Sequence, residues 1–133
     1  MTGENRVANA CAEIVAARDA LRVAEAAVSL GAFRDAMSRA YYAAFHAARA
    51  MVLLCGVEPK THSGLVHLMN EHLIRTGEIE RRFNLVLTRL YAYREASDYA
   101  YSFELGGDDV NKEIAVAREL LDVAVRRVED SSK

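Results

Sequence analysis

A chain of 133 residues and 14.7 kDa suits one domain and leaves no room for a second of ordinary size. Hydrophobic residues at 52% and charged residues at 27% exclude a disordered chain, and one proline with seven glycines is too few for the turns of an all-β sandwich or barrel. The net charge of −2 and the pI of about 6.1 exclude a global attraction to DNA, so any RNA contact must come from a local basic patch.

The first expected helix runs from Val7 to Val28. Val7, Cys11, Ile14, Leu21, Ala24 and Val28 recur on one face, and Glu13, Arg18, Asp19, Arg22 and Glu25 read as solvated. Gly31 ends it. A second helix spans Ala32 to Cys55, with an inner stripe of Phe33, Met37, Ala40, Ala44, Ala48, Val52 and Cys55, and Gly56 and Pro59 stop it. Its many alanines let another helix approach closely. Lys60-Thr61-His62-Ser63 reads as a short loop in which Thr61 or Ser63 caps a third helix carrying Leu65, Val66, Leu68, Met69, Leu73 and Ile74, closed by Gly77. The fourth helix is expected over Ile79 to Tyr101, with Phe83, Val86, Leu90, Tyr93, Ser97 and Ala100 inward. After Gly106-Gly107, Asp108 or Asp109 caps a fifth helix whose Val110, Ile114, Ala117, Leu121, Ala124 and Val128 form a heptad-like stripe, fit for a monomer core or for a dimer seam. Residues 1–133 thus form a single all-α domain, an antiparallel up-and-down bundle of about five helices.

No apolar run of transmembrane length occurs, and the first residues lack the pattern of a signal peptide. Two cysteines without a CxxC partner are expected as free, buried thiols in a reducing compartment, which makes a cytoplasmic location the expectation. His67 and His72 are five apart and do not share a helix face, so neither a metal nor a cofactor is expected. His62, next to the capping Thr61, reads as a loop or capping residue. Glycine-rich phosphate loops and nucleophile elbows are absent from the sequence.

Two helices carry a second, polar stripe. Arg39, Tyr42, His46 and Arg49 are spaced three, four, three along the second helix, and Tyr91, Arg94, Asp98 and Tyr101 repeat that spacing on the fourth, with Tyr99 one step round from Asp98. Facing each other they form a groove in which arginine grips phosphate and aromatic rings stack on bases. The same residues also suit a plainer use: Arg94 and Asp98 are spaced as a surface ion pair, and tyrosines pack between helices with their hydroxyls at the rim.

The run Ser38-Arg39-Ala40-Tyr41-Tyr42-Ala43-Ala44-Phe45-His46-Ala47-Ala48-Arg49-Ala50, then Lys60-Thr61-His62-Ser63-Gly64-Leu65, then Tyr91-Ala92-Tyr93-Arg94-Glu95-Ala96-Ser97-Asp98-Tyr99, resembles the HEPN domain family, in particular its small stand-alone prokaryotic branch. The resemblance covers about Gly31 to Tyr101. It implies a helical bundle that dimerises, and in many members a metal-independent endoribonuclease. Small members are often encoded beside a minimal nucleotidyltransferase as a toxin–antitoxin pair. Their motif is an arginine, a polar residue, three to five others, a histidine and often a tyrosine two further on. Here Arg94 and Glu95 match its start, Tyr99 falls on the histidine position, and Tyr101 matches the tyrosine that the partner modifies with AMP in some relatives.

The departure at Tyr99 has a chemical consequence. Cleavage by the RNA 2′-hydroxyl needs a proton acceptor, and a histidine with a pKa of about 6.5 suits that task near neutrality. A tyrosine with a pKa of about 10 is ionised at roughly one part in a thousand at pH 7. The expectation is a toxin-like protein that binds RNA or a nucleotide through Arg94 and Tyr99, with Arg39, Tyr42, His46, Arg49 and Asp98 contributing, and with ribonuclease activity weak or lost. His46 or His62 would serve as a proton shuttle if the fold brought it near Arg94. The rival expectation is a non-catalytic module that binds a nucleotide or only dimerises in support of a nucleotidyltransferase.

Overall fold

The computed structural model describes residues 2–99 and 106–133, and for 96–99 the description is of the backbone. Its five α-helices are α1 (Gly3–Ser29), α2 (Phe33–Leu54), α3 (His62–Met69), α4 (Arg82–Tyr99) and α5 (Gly107–Ser131). No strand occurs among the described residues. The all-α class and the number of helices agree with the sequence.

Capping sets several of the boundaries. The Thr2 side chain accepts the Asn5 N–H at 3.2 Å, which starts α1 four residues ahead of the expected Val7. Thr61 accepts the Gly64 N–H at 3.0 Å and makes His62 the first residue of α3, not a loop residue. At α5 the cap is Gly106, whose N–H donates to Asp109 Oδ2 at 3.4 Å, so Asp109 acts from inside the first turn. The third helix runs on into a π-helical turn, Asn70–Ile74, before Gly77 turns the chain. Ile79 is buried but lies outside α4; its N–H bonds back to the Leu73 carbonyl at 3.0 Å, which delays α4 to Arg82.

The second helix is the hub. It packs against α1, α3, α4 and α5. Ala36, Ala40, Ala43, Ala44, Ala47, Ala48 and Ala50 are fully buried, so its small side chains admit neighbours on several sides. Glu13 of α1 meets His46 and Arg49 of α2, while Arg6 near the start of α1 lies against Gly56 just after α2, the register of an antiparallel pair. Arg82 with Glu119 and Arg89 with Glu113 give the same antiparallel register for α4 and α5.

The expected stripe of α5 is buried within this single chain at all six positions, which assigns it to the monomer core. Glu113 lies among those apolar residues, where Arg89 donates to both of its carboxylate oxygens at 2.9 to 3.2 Å. The inner face of α1 agrees with expectation at Ile14, Leu21 and Ala24 and is otherwise carried by alanines. Ala10, Ile14, Ala17, Ala20, Leu21, Ala24 and Ala27 carry it, and Cys11 is exposed while Cys55 is half-buried, so neither thiol is a fully buried one.

Candidate functional site

Four aromatic side chains and a histidine meet where α2, α3 and α4 come together. Tyr41 on α2 is buried at 4% exposure and stands at the centre. Its ring lies 5.5 Å from Tyr42, 6.0 Å from Phe45, 5.5 Å from Tyr91 of α4 and 5.7 Å from His62 of α3. The His62 and Tyr91 rings stack nearly parallel, 4.1 Å apart at 11°. The Tyr41 hydroxyl and His62 Nδ1 are hydrogen-bonded at 3.0 Å. Burial, reinforced by the neighbouring Tyr91, pushes the Tyr41 phenol well above its ordinary pKa. Burial also lowers His62, so the ring is neutral near pH 7.

One turn after Tyr91, Arg94 brings a cation to this cluster. Its guanidinium lies 5.2 Å from the Tyr42 ring centroid and 6.0 Å from that of Tyr41, and it donates to Glu95 at 3.3 Å. The two polar stripes therefore meet through Tyr42 and Arg94. The helix places Asp98 one turn beyond Arg94 and Tyr99 next to it on the backbone. Their side chains, and the whole of Tyr101, lie outside the described residues.

The rest of the α2 stripe faces α1. Tyr42 stacks loosely on His46, with centroids 6.5 Å apart. Arg39, Tyr42 and His46 line a shallow groove of about 420 Å³ with Asp19 and small residues of α1. His46 Nδ1 bonds Glu13 at 2.6 Å, and Arg49 pairs with Glu13 and donates to the Pro59 carbonyl at 3.3 Å and to Glu58 at 3.2 Å. Burial pushes the Glu13 carboxyl up, but the His46 hydrogen bond and the Arg49 charge outweigh it and hold the group below the ordinary range. His46 thus lines the groove while bonded to Glu13, and Arg49 is engaged by Glu13, Glu58 and Pro59.

Sequence periodicity misses two residues here. Glu13 reads as a solvated charge on α1, and His62 reads as a loop residue. The only local sign of the second was the Thr61 cap, which fixes the first turn of α3 and so carries His62 against α4. Among the described residues no group of three His, Cys, Asp or Glu side chains is placed to hold a metal ion, and no helix is long and apolar enough to cross a membrane.

A profile of the HEPN domain matches residues 14–128, and the chain belongs to the HEPN domain family. Among its relatives is a UPF0332 protein of Pyrococcus horikoshii, 47% identical over 58 residues, covering 44% of this chain and 41% of that protein. A Methanocaldococcus jannaschii protein named "Putative toxin" is 37% identical over 67 residues, half of each chain. A UPF0332 protein of Thermotoga maritima is 27% identical over 114 residues, 86% of each. The matched segments thus span half or less of the first two relatives and most of the third.

Proposed function

We propose that this chain is the toxin-like member of a pair with a minimal nucleotidyltransferase, acting as a cytoplasmic homodimer, and that the face around Arg94 binds RNA or a nucleotide with cleavage weak or lost. The observation that carries the reading is the Arg94 guanidinium set against the Tyr42 and Tyr41 rings. A cation beside an aromatic ring suits a single-stranded nucleic acid: the guanidinium takes the phosphate in two parallel hydrogen bonds, and the half-buried Tyr42 ring offers its face to a base. The name of the Methanocaldococcus relative supports the toxin-like part.

In this reading Arg94 holds the scissile or bound phosphate, and Tyr99 donates a hydrogen bond or stacks, without a usable proton acceptor at neutral pH. Arg39 extends the positive charge along the groove, and Asp98 is a further RNA- or nucleotide-binding residue. His46 and Arg49 contribute less, because Glu13 already holds the His46 Nδ1 and offsets the Arg49 charge. Tyr101 is the position at which the partner attaches AMP.

Fluorescence anisotropy with a labelled single-stranded RNA tests this. Arg94→Ala should weaken binding roughly tenfold or more, the worth of a lost charge-assisted hydrogen bond. Unchanged RNA affinity in Arg94→Ala, with a changed mass in light scattering, overturns the reading in favour of a purely structural dimer.

A further inference from the structure

Resting on the RNA-binding reading of Arg94, we infer that His62 is a second phosphate-binding group of the same site, offering a neutral Nε2–H donor to a phosphodiester oxygen. Three observations lead there. The Thr61 cap fixes the first turn of α3, the flat stack on Tyr91 fixes the plane of the imidazole, and the Tyr41 hydrogen bond fixes its rotation within that plane. The ring is thereby held in place before any ligand arrives, which spares the entropy of ordering it.

The direction of the Tyr41 hydrogen bond decides which nitrogen carries the proton. Tyr41 is buried, and among the described residues the hydrogen-bond partner of its hydroxyl is His62 Nδ1. A phenol can donate or accept, but this buried O–H has no other acceptor among the described residues, so the arrangement that leaves its hydrogen satisfied has the hydroxyl donating and Nδ1 accepting. A neutral imidazole in that state carries its hydrogen on Nε2. Nε2 has no partner among the described residues, and the ring faces Tyr41 of α2 and Tyr91 of α4 with no carboxylate paired to it. His46 is the contrast, since its Nδ1 is bound to Glu13. Arg94 lies near the same buried Tyr41 ring, which thus links the imidazole and the guanidinium.

A chemical corollary separates this role from catalysis. An Nε2 that already bears a proton cannot accept one from a 2′-hydroxyl. His62 therefore supplies affinity and orientation and does not replace the base missing at Tyr99. Because the donor is uncharged, its contribution is expected to stay level from about pH 7.5 to about pH 8.5, whereas an imidazolium contact would fade as pH rises.

The test uses the full chain and a fluorescein-labelled single-stranded RNA. His62→Ala should weaken binding roughly tenfold, while His62→Gln, whose amide donates from nearly the Nε2 position, stays within about threefold of wild type. Long-range nitrogen–proton NMR of the wild-type histidines should show His62 as the Nε2–H tautomer. Full affinity in His62→Ala alongside a weakened Arg94→Ala overturns the inference and leaves the Arg94 reading standing. Equal losses in His62→Ala and His62→Gln overturn the donor role in favour of ring stacking. An Nδ1–H tautomer overturns it without reference to RNA. If Arg94→Ala also binds normally, the RNA-binding reading fails and this inference fails with it.

Discussion

Replacing Glu13 by glutamine removes a negative charge that ties α1 to α2 and, through Arg49, to the Glu58-Pro59 strap that leads into α3. The Glu13 side chain is 15% exposed and Arg49 21%, so the pair lies between two known regimes. Exposed ion pairs are worth less than about 1 kcal/mol, and breaking a buried one costs roughly 3–5 kcal/mol, which puts Glu13→Gln at about 2 kcal/mol. For a chain of this size that lowers Tm by roughly 8 °C. Urea unfolding followed by circular dichroism measures it, and a cycle with Arg49→Met should return a coupling of about 1.5 kcal/mol. The pH dependence has a definite sign. The folded carboxyl titrates below its ordinary value of 4.5, so its stabilisation is complete above that pH and is lost as pH falls through the folded value. The gap between wild type and Glu13→Gln should therefore close in acid. A destabilisation below about 0.5 kcal/mol at neutral pH, or a gap that persists in acid, refutes the reasoning.

Three other outcomes follow from the same structure. Ala47→Leu on the fully buried face of α2 should destabilise by about 1–3 kcal/mol, read as a lower urea midpoint, because the added carbons must push packed neighbours aside. Gly56→Ala should cost about 1–2 kcal/mol, since φ is +84° and the new Cβ would lie 2.9 Å from the Arg6 guanidinium; adding Arg6→Ala should recover only the steric part. Incubation with ATP and the partner nucleotidyltransferase should add one AMP to Tyr101 by peptide mass spectrometry, and an unmodified Tyr101 with an active partner counts against that assignment.

The helices were legible where large apolar residues mark the buried face. The α5 stripe from Val110 to Val128 is buried at every expected position, and α2 starts and stops within a residue of expectation. On α1 the stripe held at Ile14, Leu21 and Ala24 but missed Ala10, Ala17, Ala20 and Ala27, because alanine stands out little from a solvated helix face. Cys11 fits the period yet is exposed. At α4 the buried Ile79 looked helical, but its N–H belongs to the turn after the π-helical segment. The meeting of Tyr42 and Arg94 was readable from two stripes of equal spacing. Glu13 against His46 and Arg49, and His62 against Tyr91, were not, because each is a contact between distant segments that helical periodicity does not encode.

The most direct test of the central claim is an RNA cleavage assay in EDTA with tRNA and total RNA, comparing wild type, Arg94→Ala and Tyr99→His. The expected result is little or no cleavage by wild type and a gain of cleavage in Tyr99→His, where a histidine restores a proton acceptor beside an intact Arg94. Robust wild-type cleavage that Arg94→Ala abolishes would contradict it, because the site would then work without a histidine at position 99.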